Sequence, residues 1–296
     1  MKYREMGRTG WQISEVSLGG AYLMGTDSEH AQESTDKVVK RALELGINYI
    51  DTAPLYGKSE ELLGGALAGV AEHFYIATKV GYDPPDFDYR GDSVLWSIER
   101  SLRRMRIPKL ATAQIHEVNM AGWGRITESG GTLEGLREAQ KRGLCERIGI
   151  TGRAIPLLAK LADTGEFDTM LVYHDYHPCS QRAAKAVIPA AAAHNMGVVI
   201  ATPLAGLLFA DEPRRSAAVA AISDPVEKKR VQRVLRRLQD VPGTHAQNAF
   251  QYILTDSRVT TVSSGAANIA ELEDVAQAPE MGPLSSALRQ ELDKIT

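Results

Sequence analysis

The feature that most constrains this chain is an alternation of short apolar runs with longer amphipathic stretches, repeated eight times. The short runs are typical of strands, and the longer stretches carry apolar residues at helical spacing and often close on Gly or Asn. The strand candidates lie at residues 17–20, 48–52, 75–80, 112–117, 147–152, 169–174, 197–202 and 260–265. Strands that alternate with helices in this way predict a parallel sheet with crossover helices.

Eight such units in 296 residues predict an α/β fold, a (β/α)8 TIM barrel, rather than an open doubly wound sheet. No GxGxxG follows the first strand, so the usual sign of a Rossmann domain is missing. We expect one barrel domain over residues 1–296. Residues 1–14 are expected to form an N-terminal β-hairpin that plugs the N-terminal mouth, and a long loop of about 35 residues follows the seventh strand.

Composition argues against several classes of function. The net charge of −3 and the pI of about 6.2 provide no positive field for nucleic acid. The opening MKYREMG shows no signal peptide, and no window approaches the roughly 18 apolar residues of a membrane span. Cys145 and Cys179 form neither a CxxC nor a zinc-ligand set, so we expect half-buried thiols without a role in a reducing cytoplasm.

Polar side chains fall at the ends of three consecutive predicted strands. Asp51 ends the second strand and Tyr56 follows on its loop, while Lys79 ends the third and His116 the fourth. Barrel enzymes carry their chemistry at the carboxyl ends of the strands, so these side chains are expected to converge. Each alone could instead be a capping acid, a loop aromatic, a solvated lysine or a core histidine.

Together the four side chains suit proton exchange with an alcohol or carbonyl oxygen. A free Tyr has a pKa of about 10, and a neighbouring Lys ammonium stabilises the phenolate and lowers that pKa. A carboxylate keeps the Lys charged, and a His hydrogen-bonds the substrate oxygen. None of these groups carries hydride, so a nicotinamide cofactor is implied.

Three segments match a known family in order: DTAPLYGKSEELLGGAL, the IATKV that contains Lys79, and the QIHE that contains His116. They resemble the Asp, Tyr, Lys, His tetrad of the aldo-keto reductases, and the resemblance runs from residue 1 to about 275. It implies a barrel that binds extended NAD(P) at its C-terminal mouth. Tyr56 would exchange the proton, Lys79 and Asp51 would tune it, and His116 would orient the substrate oxygen.

The resemblance also implies a set of cofactor contacts. These are Gly19, Gly20, Ala21, Asp51, Thr151, Gly152, Tyr173, Ala201, Thr202, Pro203, Leu204, Ala205, Gly206, Ser264, Gly265, Ala267, Glu271 and Asp274. Some depart from the family pattern, because Thr151 and Gly152 replace Ser-Asn and Ala201 replaces an aromatic residue that stacks on the nicotinamide. Tyr173, where many relatives have Gln, is a candidate for the missing aromatic surface.

Three further segments (GITG, the Tyr- and His-rich sixth strand, and TPLAGLL) resemble the sugar C1 dehydrogenases of the family, which oxidise an aldose to a lactone. In that direction Tyr56 would accept the proton of the anomeric hydroxyl. NADP-using relatives often carry Arg or Lys at the position where Glu271 aligns. A carboxylate there repels a 2′-phosphate and suits a free 2′-hydroxyl, so NAD is predicted over NADP. Alternatively, Glu271 is an acid favoured by a helix dipole.

The substrate pocket has four candidate residues. Tyr56 and His116 belong to the tetrad, and Tyr22 and Trp123 lie on loops after the first and fourth strands. The two loop aromatics either form walls of the pocket or pack on its rim.

Two charged clusters remain open to interpretation. In the long connection the bases on one side of a predicted helix are Lys229, Arg233, Arg236 and Arg237. They form either a solvated helix face or a lid that contacts an anionic ligand. On the sixth strand His174, Asp175 and His177 are metal-ligand types, but side chains alternate along a strand, so no metal is predicted.

The sequence therefore predicts a cytoplasmic, NAD-dependent oxidoreductase that oxidises an aldose at C1, with NADP possible. An NADPH-dependent aldehyde or ketone reductase is the first alternative. A non-catalytic nicotinamide-binding regulatory subunit is another, as is an aldolase that uses Lys79 as a Schiff base. The expected partner is a small sugar or aldehyde, with neither nucleic acid nor membrane, and the oligomeric state stays open.

Overall fold

The computed structural model of the chain describes residues 1–23, 29–83 and 86–296. The strands are β1 (Tyr3–Glu5), β2 (Gln12–Ser14), β3 (Val16–Gly19), β4 (Tyr49–Asp51), β5 (Tyr75–Val80), β6 (Tyr82–Asp83), β7 (Asp86–Phe87), β8 (Leu110–Ile115), β9 (Cys145–Gly152), β10 (Thr169–Tyr173), β11 (Gly197–Ala201) and β12 (Thr261–Ser264). The helices are α1 (Ala31–Glu44), α2 (Ser59–Ala66), α3 (Gly91–Met105), α4 (Val118–Thr127), α5 (Thr132–Lys141), α6 (Ile155–Ala162), α7 (Val187–Ala193), α8 (Arg214–Ala220), α9 (Pro225–Leu238), α10 (His245–Leu254), α11 (Ile269–Ala276), α12 (Ala278–Met281) and α13 (Ser286–Ile295).

Eight of these strands close into a parallel barrel, which confirms the predicted TIM barrel. They are β3, β4, β5, β8, β9, β10, β11 and β12, and the pairing of β12 with β3 completes the ring. Each corresponds to one of the eight sequence candidates. Helix α3 of the surrounding layer buries one apolar face, which includes Val94, Ile98 and Leu102. Within the described part of the chain, no helix is both long and apolar enough to cross a bilayer.

The N-terminal hairpin is present as expected, with β1 and β2 paired antiparallel. It carries Met6 and Ile13, both fully buried, into a cluster with side chains from four barrel strands. Those partners are Tyr49, Ala77, Leu171 and Val199. At the start of β11, a Cβ on Gly197 would lie 2.3 Å from Cγ of Met6, so only Gly leaves room for the plug. The hairpin therefore closes the barrel interior with apolar packing.

The connection after β11 contains two helices, of which the second, α9, includes the predicted basic helix. Helix α8 is followed by α9, which buries Val231, Val234 and Leu238. An Asp224 side chain caps the start of α9 by accepting a hydrogen bond from the backbone of Val226. Helix α9 packs on α13 and α10, so most of this connection belongs to the outer layer of helices.

Candidate active site

The four tetrad residues line one cavity of about 300 Å³ at the carboxyl ends of the strands. Lys79 Nζ lies 2.6 Å from Asp51 Oδ2 and 2.9 Å from the carbonyl oxygen of Thr52. The same ammonium is 4.8 Å from the centre of the Tyr56 ring. The rings of Tyr56 and His116 are 6.0 Å apart and perpendicular. The convergence expected from the strand ends is therefore observed.

Strand periodicity explains how the sequence builds this cluster. Side chains two residues apart share one face of a strand. On β4, Tyr49 packs in the interior cluster and Asp51 follows it toward the mouth. On β5, Ala77 packs in the same cluster and Lys79 follows in the same way. Each strand thus supplies an apolar side chain to the core and, one repeat later, a polar side chain to the cavity.

Burial and neighbouring groups together determine the pKa values of Lys79 and Tyr56. Burial disfavours the charged form of Lys79, but Asp51 and Tyr56 outweigh it, so its pKa is raised and the ammonium persists. For Tyr56, burial raises the pKa more than Lys79 lowers it, so the net direction is upward. Lys79 therefore lowers the pKa of Tyr56, as the sequence predicts for a neighbouring ammonium, but burial has the larger effect.

Burial also decides the protonation of the histidine. Removal from water, with a smaller effect of Lys79, lowers the pKa of His116 to about 3. His116 is therefore neutral over the whole physiological range. A neutral imidazole can donate one hydrogen bond to a substrate oxygen without adding charge to the cavity.

Sequence reasoning missed a residue that holds the tetrad in place. Gln114 Nε2 donates a hydrogen bond of 2.8 Å to Asp51 Oδ1, and its side chain is fully buried. The carboxylate is thus fixed by Lys79 on one oxygen and by Gln114 on the other. Because Gln114 lies on β8 two residues before His116, the alternation of side chains along a strand was a signal that could have found it.

The predicted cofactor residues divide into two groups. Besides Asp51, those that line the cavity are Gly19, Gly20, Ala21, Thr151, Tyr173, Ala201, Thr202 and Gly265. Those that do not are Gly152, Pro203, Leu204, Ala205, Gly206, Ser264, Ala267, Glu271 and Asp274. Ser263 lines the cavity in place of Ser264, because neighbouring side chains on β12 face opposite ways. Asp274 instead accepts a hydrogen bond from Thr244 at the start of α10.

The backbone at the cavity wall suits an extended nicotinamide cofactor. A Cβ on Gly19 would lie 2.9 Å from Ser263 Oγ, and one on Gly265 would lie 2.9 Å from the ring of Tyr22. Absent side chains therefore keep this wall open, as close approach of a ligand to the backbone requires. Tyr173 and Ala201 are paired neighbours on β10 and β11 and both line the cavity, so an aromatic ring lies on the strand next to Ala201.

Glu271 lies in the first turn of α11, and both of its carboxylate oxygens accept hydrogen bonds. Its Oε2 accepts a hydrogen bond from the backbone N–H of Ala267, and its Oε1 accepts one of 2.8 Å from Arg214 of α8. Asn268 caps the same helix through its side chain. A base from the long connection therefore does reach this region, although it is Arg214 and not one of the four predicted bases.

The four predicted bases lie on the exposed face of α9. Arg233, Arg236 and Arg237 line a separate surface cavity together with Glu291 and Lys294 of α13. That cavity shares no residue with the mouth cavity. The structure therefore favours the solvated-face interpretation over a lid.

The two aromatic substrate candidates have different positions. Tyr22 lines the cavity and is 61% exposed. Trp123 does not line it, because α4 begins at Val118 directly after the strand end and carries the ring to the outer layer. There Lys160 Nζ lies 3.7 Å from the centre of the indole ring. The prediction that Trp123 forms a wall of the pocket is therefore wrong. An aromatic ring close to His116 is that of Tyr82, at 5.4 Å between the ring centres.

The acid that follows the sixth barrel strand, β10, forms two ion pairs. Asp175 is fully buried and accepts hydrogen bonds from both Arg153 and Arg182. Among the described residues, no group of three His, Cys, Asp or Glu could hold a metal ion. Cys145 and Cys179 are both buried, more deeply than expected, and burial raises the pKa of each thiol to about 12.

Comparison with known proteins establishes the family. The model of the aldo/keto reductase family matches residues 15–296, so the chain belongs to that family. Its members are oxidoreductases that act on alcohol and aldehyde groups with a nicotinamide cofactor, and this chain is an enzyme of that type.

Individual relatives are distant but cover nearly the whole chain. L-galactose dehydrogenase of Arabidopsis thaliana is 27% identical over 96% of this chain and 90% of its own length. D-threo-aldose 1-dehydrogenase of a Pseudomonas species is 27% identical over 90% of each. The holo form of the aldo-keto reductase AKR11C1 from Bacillus halodurans superposes with a TM-score of 0.84 at 25% identity, over 100% of this chain and 96% of that one.

Proposed function

We propose that this protein oxidises an aldose at C1 to a lactone with NAD⁺. The observation that carries the proposal is the contact of Lys79 Nζ with Asp51 at 2.6 Å, directly beside the Tyr56 ring. This arrangement suits proton exchange at an alcohol oxygen. The sugar is suggested by the relatives, since two of them are named as sugar dehydrogenases.

The residues divide the chemistry between them. Tyr56 loses its own proton to solvent and, as the phenolate, accepts the proton of the anomeric hydroxyl. The Lys79 ammonium limits the rise of the Tyr56 pKa and so lowers the free energy needed to form that phenolate. Asp51, held by Gln114, keeps the ammonium in place. His116 donates a hydrogen bond to the same substrate oxygen as it becomes a carbonyl. A nicotinamide bound along the Gly19 and Gly265 wall would supply the hydride acceptor.

Glu271 supports NAD as the cofactor, because it aligns with the position where NADP-using relatives often carry a base. A 2′-phosphate carries a charge of about −1.5 to −2, and a carboxylate in that position would oppose it. Arg214 favours the alternative, because it contacts Glu271 at 2.8 Å and could pair with a phosphate instead. An NADPH-dependent aldehyde or ketone reductase is therefore the second candidate.

A panel assay tests the proposal. NAD⁺ and NADP⁺ are offered with aldoses, and NADH and NADPH with aldehydes, while nicotinamide absorbance is followed. Aldose-dependent reduction of NAD⁺ supports the proposed activity. Turnover only with NADPH and aldehydes would keep the roles of the tetrad and reject both the sugar and the cofactor choice.

A pair of variants tests the cofactor choice separately. Glu271→Arg should raise the ratio of kcat/KM for NADP⁺ to that for NAD⁺ by at least about 10-fold, since one repulsion becomes an attraction. Glu273→Arg changes the charge of the same helix by the same amount and serves as the matched control. An equal change in both variants would show that Glu271 has no specific role.

A further inference from the structure

Glu117 directly follows His116 and lines the mouth cavity, yet the chemistry of the tetrad does not use it. Its backbone φ of 54° and ψ of 71° lie in the left-handed region. This conformation costs a residue other than Gly about 1 kcal/mol or more, and Asn or Gly adopts it more easily. The turn alone therefore gives no reason for Glu, and its side chain needs a separate explanation.

One oxygen of this carboxylate is fixed and the other has no donor. Glu117 Oε1 accepts a hydrogen bond of 2.6 Å from the hydroxyl of Tyr173. Oε2 lies beside Gly152, at 3.6 Å from the position that a Cβ there would take. Among the described residues nothing donates to Oε2 and no cation forms an ion pair with Glu117. Arg153 is hydrogen-bonded to Asp175, and it acts on Glu117 only through its charge.

We propose that Glu117 selects uncharged polyhydroxy substrates and discriminates against phosphorylated or carboxylated ones. Tyr173 positions the carboxylate, and a substrate hydroxyl donates to its free oxygen while the reacting oxygen lies at His116. A hydrogen bond to a charged acceptor contributes about 10- to 100-fold to binding. A substrate phosphate or carboxylate would meet a like charge in a partly buried site. This inference rests on the proposed function, because it refines which substrates that mouth accepts.

The test compares neutral and phosphorylated forms of the same compound. D-glyceraldehyde and its 3-phosphate, and an aldose and its 6-phosphate, are assayed with wild type, Glu117→Gln and Glu128→Gln. Glu117 is the N-cap of α4 and Glu128 is its C-cap. Glu128 is exposed and pairs with Arg125, so it is the matched control. In Glu117→Gln we expect KM for the neutral compounds to rise about 10-fold with little change in kcat, and the neutral-to-phosphorylated ratio of kcat/KM to fall at least as much.

Tyr173→Phe gives an intermediate case. It keeps the carboxylate but removes the hydroxyl that holds it, so the ratio should fall less than in Glu117→Gln. A ratio that is the same in wild type and Glu117→Gln would overturn the inference, as would an equal fall in Glu128→Gln.

The same assays separate this inference from the proposed function. If the wild type reduces glyceraldehyde but oxidises no aldose, the proposed function fails, and the glyceraldehyde pair still tests Glu117. If aldoses are oxidised but the ratio does not depend on Glu117, only the inference fails. Calorimetric binding of an aldose and the corresponding aldonate to cofactor-saturated protein makes the same comparison without turnover, and equal affinities in wild type would contradict the inference.

Discussion

The two ends of the barrel are built from the same strands but perform different tasks. At the N-terminal end, Met6 and Ile13 of the hairpin pack on Tyr49 and Ala77 and exclude water. Two residues further along those strands, Asp51 and Lys79 form a buried ion pair. A separation of about 6–7 Å along a strand thus divides packing from chemistry. Changes at the plug should alter stability alone, whereas changes at the mouth should alter turnover.

The largest expected effect comes from Lys79, which lies at the mouth and contributes to both turnover and stability. Lys79→Met should reduce kcat by about 10³-fold or more, and it should also lower the free energy of unfolding by about 3–5 kcal/mol, because the Asp51 carboxylate is left buried without its partner. Steady-state rates and urea unfolding measure the two losses. The double variant Asp51→Asn with Lys79→Met should recover much of the stability and none of the activity. Recovery of activity would contradict the assigned roles.

The converse test is at the plug. Met6→Ala removes a fully buried side chain and should lower the free energy of unfolding by about 2–5 kcal/mol. Because Met6 does not line the cavity, kcat and KM of the folded fraction should match wild type. Met120→Ala, at a side chain that is 53% exposed, is the control and should change neither quantity. A plug variant that is stable but slow would break the division between the two ends.

A smaller loss is expected from the residue that fixes Asp51. Gln114→Met keeps the volume and removes the 2.8 Å hydrogen bond. The loss of one such bond should lower kcat by about 10-fold. Cofactor affinity should stay the same. Stopped-flow and steady-state rates compare the variant with wild type. Unchanged kcat would mean that Lys79 alone is sufficient to place the carboxylate.

The smallest expected effect is a pH dependence of stability. The pKa of His116 falls from about 6.5 in the unfolded chain to about 3 in the fold. Between these values the unfolded state binds more protons, so stability is fully present above pH 6.5 and is lost as the pH falls toward 3. At pH 5.5 the loss should be about 1 kcal/mol. His116→Gln cannot titrate, and an identical slope of stability with pH in both proteins would contradict the buried neutral imidazole.

The barrel and the convergence of the four side chains on one cavity could be predicted from the sequence, because both depend on local periodicity. Asp51, Lys79 and His116 were readable as strand ends, and the ends of parallel strands must meet. The errors at Trp123 and Arg214 have a common cause, since both depend on where an outer helix begins or how it packs. Trp123 was placed on a loop because nothing local shows that α4 starts two residues after His116. Arg214 was missed because its contact with Glu271 spans 57 residues.

How deeply Tyr56 is buried could not be predicted from the sequence either. Lys79 lowers the pKa of Tyr56, as its charge predicts. The burial of Tyr56 raises that pKa by more, so the net change is upward. Burial is a property of the assembled cavity, to which strands from the whole ring contribute. Glu117 illustrates the same limit, because its contact with Tyr173 joins two strand ends that are 56 residues apart.

The most direct measurement compares wild type with Tyr56→Phe, using NAD⁺ and the best aldose of the panel. The account predicts that kcat falls by about 10²–10⁴-fold, because the group that accepts the proton is lost. Cofactor affinity, followed by protein fluorescence, should stay within about twofold, since a single ring hydroxyl is removed and the cavity wall is unchanged. Turnover in Tyr56→Phe comparable to wild type would show that the chemistry does not depend on this tyrosine and would contradict the central claim.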